Sequence, residues 1–205
     1  MSKILFIFQL FSFWIKGKDP IFELFMKDKK VLDLGCGEGK LLQKNPNLIY
    51  GIDINMTTVE ALKKKKLNVE RGSVTEIPHE ANSFDVVHCS NIIEHLTPVE
   101  AQKMFLEIKR VLKKNGIVII ITPMPKTIWN TFGHIKPYPP TSIRKLLRRV
   151  SLESFDSVAG LEIQNIFYYG TWARCKFTFV LSTIISNIFP STGGSYLMAI
   201  KKIEN

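Results

Sequence analysis

The sequence predicts an α/β fold, and three observations carry that expectation. From Lys30 onward, short apolar runs alternate with segments of helical periodicity, the pattern left by strands and helices in alternation. One run, Ile117 to Ile121, is wholly apolar and therefore suits a central strand covered on both faces. Directly after the first strand lies Gly35-Cys36-Gly37-Glu38-Gly39, a turn in which glycine lets the backbone approach a ligand closely.

Taken in order, Val31 to Leu34 is the first strand, and a helix is expected to start at Lys40-Leu41-Leu42. Leu48 to Asp53 is a second strand that ends on an acid. Met56 to Lys66 reads as a helix, and its terminal lysines, Lys63 to Lys66, suit the negative end of the helix dipole. Phe84 to Cys89 is the next strand. Thr97-x-x-Glu100 is a capping box with Pro98 in the first turn. The helix it opens has a buried stripe of Ala101, Met104, Phe105, Ile108, Val111 and Leu112, with Gly116 as its terminator. After the central strand comes a loop rich in proline and aromatics, Thr122 to Pro140. Thr141 to Val150 is then a helix with Ile143, Leu146, Leu147 and Val150 on one face and Arg144, Lys145, Arg148 and Arg149 on the other. Ile163 to Tyr169 and Tyr196 to Lys202 complete the strands.

Two apolar segments flank this pattern. Ile4 to Ile15 is too short to span a bilayer and is followed by no small-residue cleavage site. It reads as a buried N-terminal helix or as an interfacial anchor, since six of the fourteen phenylalanines lie in the first 25 residues. The second segment, Phe177 to Ile200, carries no charge. Its helical part places Phe177, Leu181, Ile184 and Ile188 on one face and Ser182, Thr183, Ser186 and Asn187 on the other. A helix face with hydroxyls and an amide but no charge is expected to pack against something. Residues 1–28 are thus an apolar helical segment or lid, and residues 29–205 the domain proper.

Composition limits the partners and compartment. A chain of 205 residues, 45% hydrophobic and 22% charged, is the size of one domain with a real core. Cys36, Cys89 and Cys175 can close no disulfide framework and match no metal knuckle, so a reducing, cytoplasmic setting and no metal site are expected. The formal charge of +10 is unevenly placed: between Ile108 and Leu152 there are ten basic residues and no acid. That window makes an anionic acceptor, or an anionic membrane surface beside it, attractive.

The chemistry sits around the glycine turn. A dinucleotide fingerprint would need glycine at position 40, where Lys40 stands. The tighter spacing of Gly35, Gly37 and Gly39 suits a nucleoside without a pyrophosphate. Asp53, 18 residues after Gly35, is placed to accept from both ribose hydroxyls.

Four segments in this order and spacing carry a family resemblance: V-L-D-L-G-C-G-E-G from Val31, Y-G-I-D-I-N from Tyr50, S-F-D-V-V-H-C-S-N-I-I-E-H-L from Ser83, and V-L-K-K-N-G-I-V-I-I-I-T-P from Val111. Over residues 29 to 150 the chain resembles the class I S-adenosylmethionine-dependent methyltransferases, closest to the small-molecule and quinone-biosynthesis subgroup. The resemblance implies a Rossmann-like three-layer sandwich, with a seven-stranded, mostly parallel sheet and an antiparallel last strand. It implies S-adenosylmethionine as cofactor and S-adenosylhomocysteine as product. It also implies that Gly35, Cys36, Gly37 and Gly39 line the methionine and ribose side, with Asp33 near the amino group. Asp53 then holds the ribose, Ile54 packs on the adenine, and Asn91 faces the methionine. The family's acid after Gly72 is replaced by Ser73, whose hydroxyl and the Val74 amide remain available to the adenine.

Transfer from a sulfonium needs alignment first and a base only if the acceptor must lose a proton. Candidate catalytic groups are His95, His134 and Tyr138, each with a packing role as the competing reading. His79 and His88 have no partner legible in the sequence. The function expected is methyl transfer to a small-molecule or lipid-linked acceptor. Nucleic acid remains a second acceptor class, although no added RNA-binding module is present. A non-catalytic cofactor-binding regulator and a nucleotide-dependent oxidoreductase are the other classes, and Lys40 counts against the last.

Overall fold

The computed structural model describes residues 19–148, 157–170 and 176–203, together with Gln9, Ser12 and Lys16. The apolar segment from Ile4 to Ile15, apart from Gln9 and Ser12, lies outside the described residues, as do Arg149, Val150 and Cys175. The side chains of Phe177 and Leu181 lie outside them as well.

Seven strands form one sheet: β1 (Val31–Leu34), β2 (Ile49–Asp53), β3 (Val69–Arg71), β4 (Phe84–Ser90), β5 (Leu112–Pro123), β6 (Leu161–Gly170) and β7 (Gly193–Lys202). The order across the sheet is β3-β2-β1-β4-β5-β7-β6. Every described neighbouring pair is parallel except those made by β7, which runs antiparallel to both β5 and β6. This is the Rossmann-like arrangement implied by the resemblance. The reversal of strand order beside β1 and β4 opens a crevice at the carboxyl ends of the strands, where ligands bind in such sheets.

The period of two along the strands divides the core into two layers. Leu32, Leu34, Val87, Cys89, Val118 and Ile120 face one side with Tyr196, Met198 and Ile200. Val31, Val86 and Ile119 face the other with Leu197 and Ala199. Helix α2 (Pro98–Val111) covers the first face with Ala101, Met104, Phe105, Ile108 and Val111, all essentially inaccessible. Its capping box forms as expected: Thr97 Oγ1 accepts from Glu100 N, and Glu100 Oε2 accepts from Thr97 N at 2.8 Å. Helix α1 (Met56–Lys64) buries Val59 and Leu62 on the second face, opened by Asn55 rather than by a charged cap. Met26, at the end of a π-helical turn from Phe22, is buried in the same layer, so residues just before the sheet already pack on it.

The structure departs from the expected elements at three places. The helix expected at Lys40-Leu41-Leu42 is a single 3-10 turn, Leu42–Lys44. Pro46 disfavours helical backbone at Asn45, and β2 begins at Ile49. Helix α2 ends at Val111, before Gly116: Leu112 is already extended and pairs with Phe84. The turn falls instead at Asn115, in left-handed backbone, where the β4–β5 register shifts. The third is an addition: strand β3, only three residues long, is too short to show a period in the sequence.

Helix α3 (Pro140–Leu147) buries Ile143 and Leu147 and exposes Arg144 and Lys145, with Arg148 exposed just beyond it. Helix α4 (Lys176–Ile188) is packed by its polar face. Ser182, Thr183 and Ser186 are buried, while Ile188 and the following Phe189 are exposed. Asn187 bridges to the edge strand: its Oδ1 accepts from Tyr168 N at 3.2 Å and its Nδ2 donates to Tyr168 O at 2.8 Å. The uncharged polar face therefore satisfies backbone groups of β6. No helix among the described residues is long and apolar enough to cross a membrane.

Candidate active site

The turn after β1 is built by its glycines. Gly35, Gly37 and Gly39 all take left-handed backbone, with φ of +65°, +49° and +70°. The turn is tied to the next strand twice: Cys36 N donates to Ile52 O at 3.0 Å, and Gly37 N donates to Asp53 Oδ2 at 3.0 Å. The other Asp53 oxygen accepts from Asn55 N at 2.9 Å. Each carboxylate oxygen keeps further acceptor capacity. A methyl placed on Gly37 would meet no described atom within 4 Å, so open space lies above the turn. One placed on Gly35 would lie 2.2 Å from Ile92 Cδ1. A cleft of about 330 Å³ opens beside the turn, with Asp33, Gly35, Cys36, His88 and Ser90 in its wall.

Asp33 is buried, and its Oδ1 lies 2.7 Å from His88 Nδ1. The β1–β4 register sets Asp33 directly opposite His88, which is how a histidine without a partner in sequence acquires one. Cys36 sits between acids. Burial first, then the charges of Asp33 and Asp53, push its thiol up to about 12, so it is a packing group at neutral pH. Where the resemblance implies the adenine, Ile54 is 70% exposed, an apolar side chain presented to solvent just after β2. Ser73 Oγ pairs with Thr75 Oγ1 at 2.8 Å and accepts from Thr75 N, so part of its capacity is used locally. Val74 packs partly against the core. Asn91 is exposed in left-handed backbone, held by its amide to Ile121 O at 2.9 Å.

The three candidate catalytic groups converge only in part. His95 and His134 come together, ring centroids 4.7 Å apart and nearly perpendicular. Tyr138 is fixed elsewhere: its hydroxyl donates to Leu96 O at 2.7 Å, and its own carbonyl accepts from Tyr196 Oη. Burial, with a lesser contribution from Glu100, raises its phenol to about 12, so Tyr138 clamps the loop after β5 and keeps its proton. That loop is held again where Ile135 N and Lys136 N donate to Glu94 O. It also exposes Trp129 and Phe132.

Members of the basic window stand in two contrasting settings. Arg110 is occupied by Glu107, Ile77 O and His79 O, and Lys113 by Asp85 at 2.9 Å. These are structural contacts around the start of β4. Arg144, Lys145 and Arg148 instead line an open groove of about 370 Å³ between α3 and β6. Two side chains at the strand ends carry no signal in the sequence: His88, whose partner only strand register supplies, and Glu94, which the loop buries.

A parallel sheet with its crevice at β1 and β4, a left-handed glycine turn and an acid closing β2 define a Rossmann-like nucleoside-binding domain. Residues 32–120 match the family described as methyltransferase domain. Over that stretch the chain is similar to S-adenosylmethionine-dependent methyltransferases. A methyltransferase-like protein of Schizosaccharomyces pombe is 31% identical over 73% of this chain and 57% of its own length. The ubiquinone/menaquinone biosynthesis C-methyltransferase of Campylobacter jejuni is 32% identical over 52% of this chain and 50% of its own. A SAM-dependent methyltransferase from Archaeoglobus fulgidus shares the fold with a TM-score of 0.62 at 18% identity, covering 98% of this chain and 95% of that one. The chain spans about half the length of the curated relatives it matches. The cofactor of the family is S-adenosylmethionine, and the open glycine turn with the Asp53 carboxylate fits its nucleoside.

Proposed function

We propose that the chain transfers the methyl group of S-adenosylmethionine to an acceptor held at the carboxyl ends of the strands. The observation that carries this reading is the closure of the glycine turn on Asp53 through Gly37 N, which presents a carboxylate and an open backbone cradle together. The bound cofactor supplies an electrophilic sulfonium methyl. What the chain contributes is mainly position. Asp53 receives the ribose hydroxyls, Ile54 offers an apolar contact to the adenine, and Ser73 and Val74 border its edge. Asp33, paired with His88, and Asn91 lie on the methionine side. His95 and His134 are the imidazoles available if the acceptor must lose a proton.

The acceptor in this reading is an anionic amphiphile, of the lipid-linked kind. Exposed Trp129 and Phe132 on the loop after β5 support its apolar part, and Arg144, Lys145 and Arg148 support its charge. An anionic membrane surface suits the same side chains, which would make the chain peripheral at that surface.

Calorimetry with S-adenosylhomocysteine tests the cofactor site. Asp53→Ala is expected to weaken binding at least tenfold, since two hydroxyl contacts are lost; unchanged affinity overturns the placement. Tritiated-methyl transfer into a fractionated extract tests the acceptor. Label in the lipid fraction supports the amphiphile, whereas label in RNA replaces it with the nucleic-acid reading.

A further inference from the structure

The loop after β5 folds His134 back onto the 3-10 turn Ile93–His95 that follows β4. There it meets Glu94, a carboxylate with no solvent exposure. Glu94 Oε2 accepts from Thr122 Oγ1 at 3.0 Å, but Oε1 is buried with no hydrogen-bond partner among the described residues. A buried carboxylate oxygen left in this state is costly unless a cation or a proton completes it. Two histidines stand close enough to supply ligands for such a cation. His95 Nδ1 lies 3.1 Å from Gly133 O, and His134 Nδ1 lies against Ile128 O. Carbonyl oxygens only accept, so both Nδ1 atoms carry protons, and in the neutral imidazole tautomer this fixes, Nε2 is the nitrogen with a lone pair to offer a metal. Fixing a ring through Nδ1–H to a carbonyl is the usual support for a metal-binding imidazole. One ligand atom from each of the three residues lies within 4.8 Å of the others.

We propose that Glu94, His95 and His134 bind one divalent transition-metal ion of the zinc class. One carboxylate oxygen with two imidazole nitrogens suits zinc or its neighbours, whereas magnesium and calcium favour all-oxygen sets. In a tetrahedral zinc site ligand atoms stand about 3.4 Å apart, so the three side chains need tighten by no more than roughly 1.4 Å. Three protein ligands leave one position open, as in sites that bind water or a substrate oxygen. Cysteine spacing predicts no metal site in this sequence; this set contains no cysteine and joins positions about 40 residues apart. The proposal stands on its own geometry and does not depend on the methyl-transfer reading. A metal there would, however, employ the lone pairs that a histidine base would need.

The test uses the full, tag-free chain, stripped with chelator and then equilibrated separately with Zn²⁺, Co²⁺ and Mg²⁺. Expected are one equivalent of zinc by elemental analysis, a higher melting temperature with zinc, and a four-coordinate cobalt absorption band. Glu94→Gln and His134→Ala are each expected to lower zinc affinity at least tenfold. His95→Ala, at an exposed position, is expected to do the same with its stripped melting temperature unchanged, which separates ligation from folding. His79→Ala, outside the cluster, is expected to retain the full equivalent. Absence of bound zinc, a preference for magnesium, or unchanged affinity in His95→Ala would overturn the proposal and leave Glu94 completed by a proton.

Discussion

Gly35 and Gly37 lie two residues apart in one turn, yet their substitution should separate stability from binding. Alanine at Gly37 incurs only left-handed strain, roughly 1 kcal/mol, because no described atom stands near its new methyl. For a chain of this size that is a fall of about 2–4 °C in Tm. The methyl would nevertheless stand in the space above the turn, so affinity for S-adenosylhomocysteine is expected to drop tenfold or more. Alanine at Gly35 adds the clash with Ile92, and overpacking adds about 1–3 kcal/mol to the strain. Thermal melts and calorimetry of both variants should therefore rank Gly35→Ala as much the less stable, and Gly37→Ala as nearly native in stability but poor in binding. Equal losses of stability would refute this account of the turn. The glycines themselves are legible in the sequence because left-handed backbone favours that residue. Which of them borders a side chain and which borders open space is not.

Charge on helix α2 ties it to the segment before β4. Glu107 Oε2 accepts from Ile77 N at 2.8 Å and from Arg110, while Arg110 also donates to Ile77 O and His79 O. Arg110 is the main reason the Glu107 carboxyl lies below its usual value of 4.5; burial opposes it, and the Ile77 amide adds to it. A depressed carboxylate contributes stability that is present above the unfolded value and lost as pH falls through the folded one. Wild type is thus expected to lose its stability advantage over Glu107→Gln as pH drops below about 4.5, read as converging Tm values. A gap between the two that persists on acidification would count against the pairing. Helix α2 is the element most legible in sequence, because its capping box and its stripe at helical spacing agree. The 3-10 turn after the glycine loop is not, since Pro46 and the short distance to β2 override the local apolar signal. Helix α4 shows a third case: its uncharged polar face is readable, but the bond of Asn187 to the edge strand β6 is not.

Folding gives members of the acid-free basic window two different settings. Arg110 and Lys113 are paired in structural contacts, whereas Arg144, Lys145 and Arg148 face an open groove. If the acceptor is anionic, its KM should rise with ionic strength, because salt screens that groove. Arg144→Glu with Arg148→Glu should raise KM several-fold and flatten the salt dependence, while affinity for S-adenosylhomocysteine stays unchanged. A salt-independent KM in wild type would remove charge from acceptor recognition.

The layering of the fold, the glycine turn, the strand-end acid Asp53 and the family resemblance can all be read from the order of residues. Each of these is local: a strand period, a helix period, or backbone conformations that only glycine adopts readily. Contacts that cross between strands and loops required the folded chain. Register set His88 against Asp33, the returning loop placed His134 beside Glu94 and His95, and Tyr138 became a clamp through its bond to Leu96. Such pairings depend on distances between residues tens of positions apart, which no local period encodes.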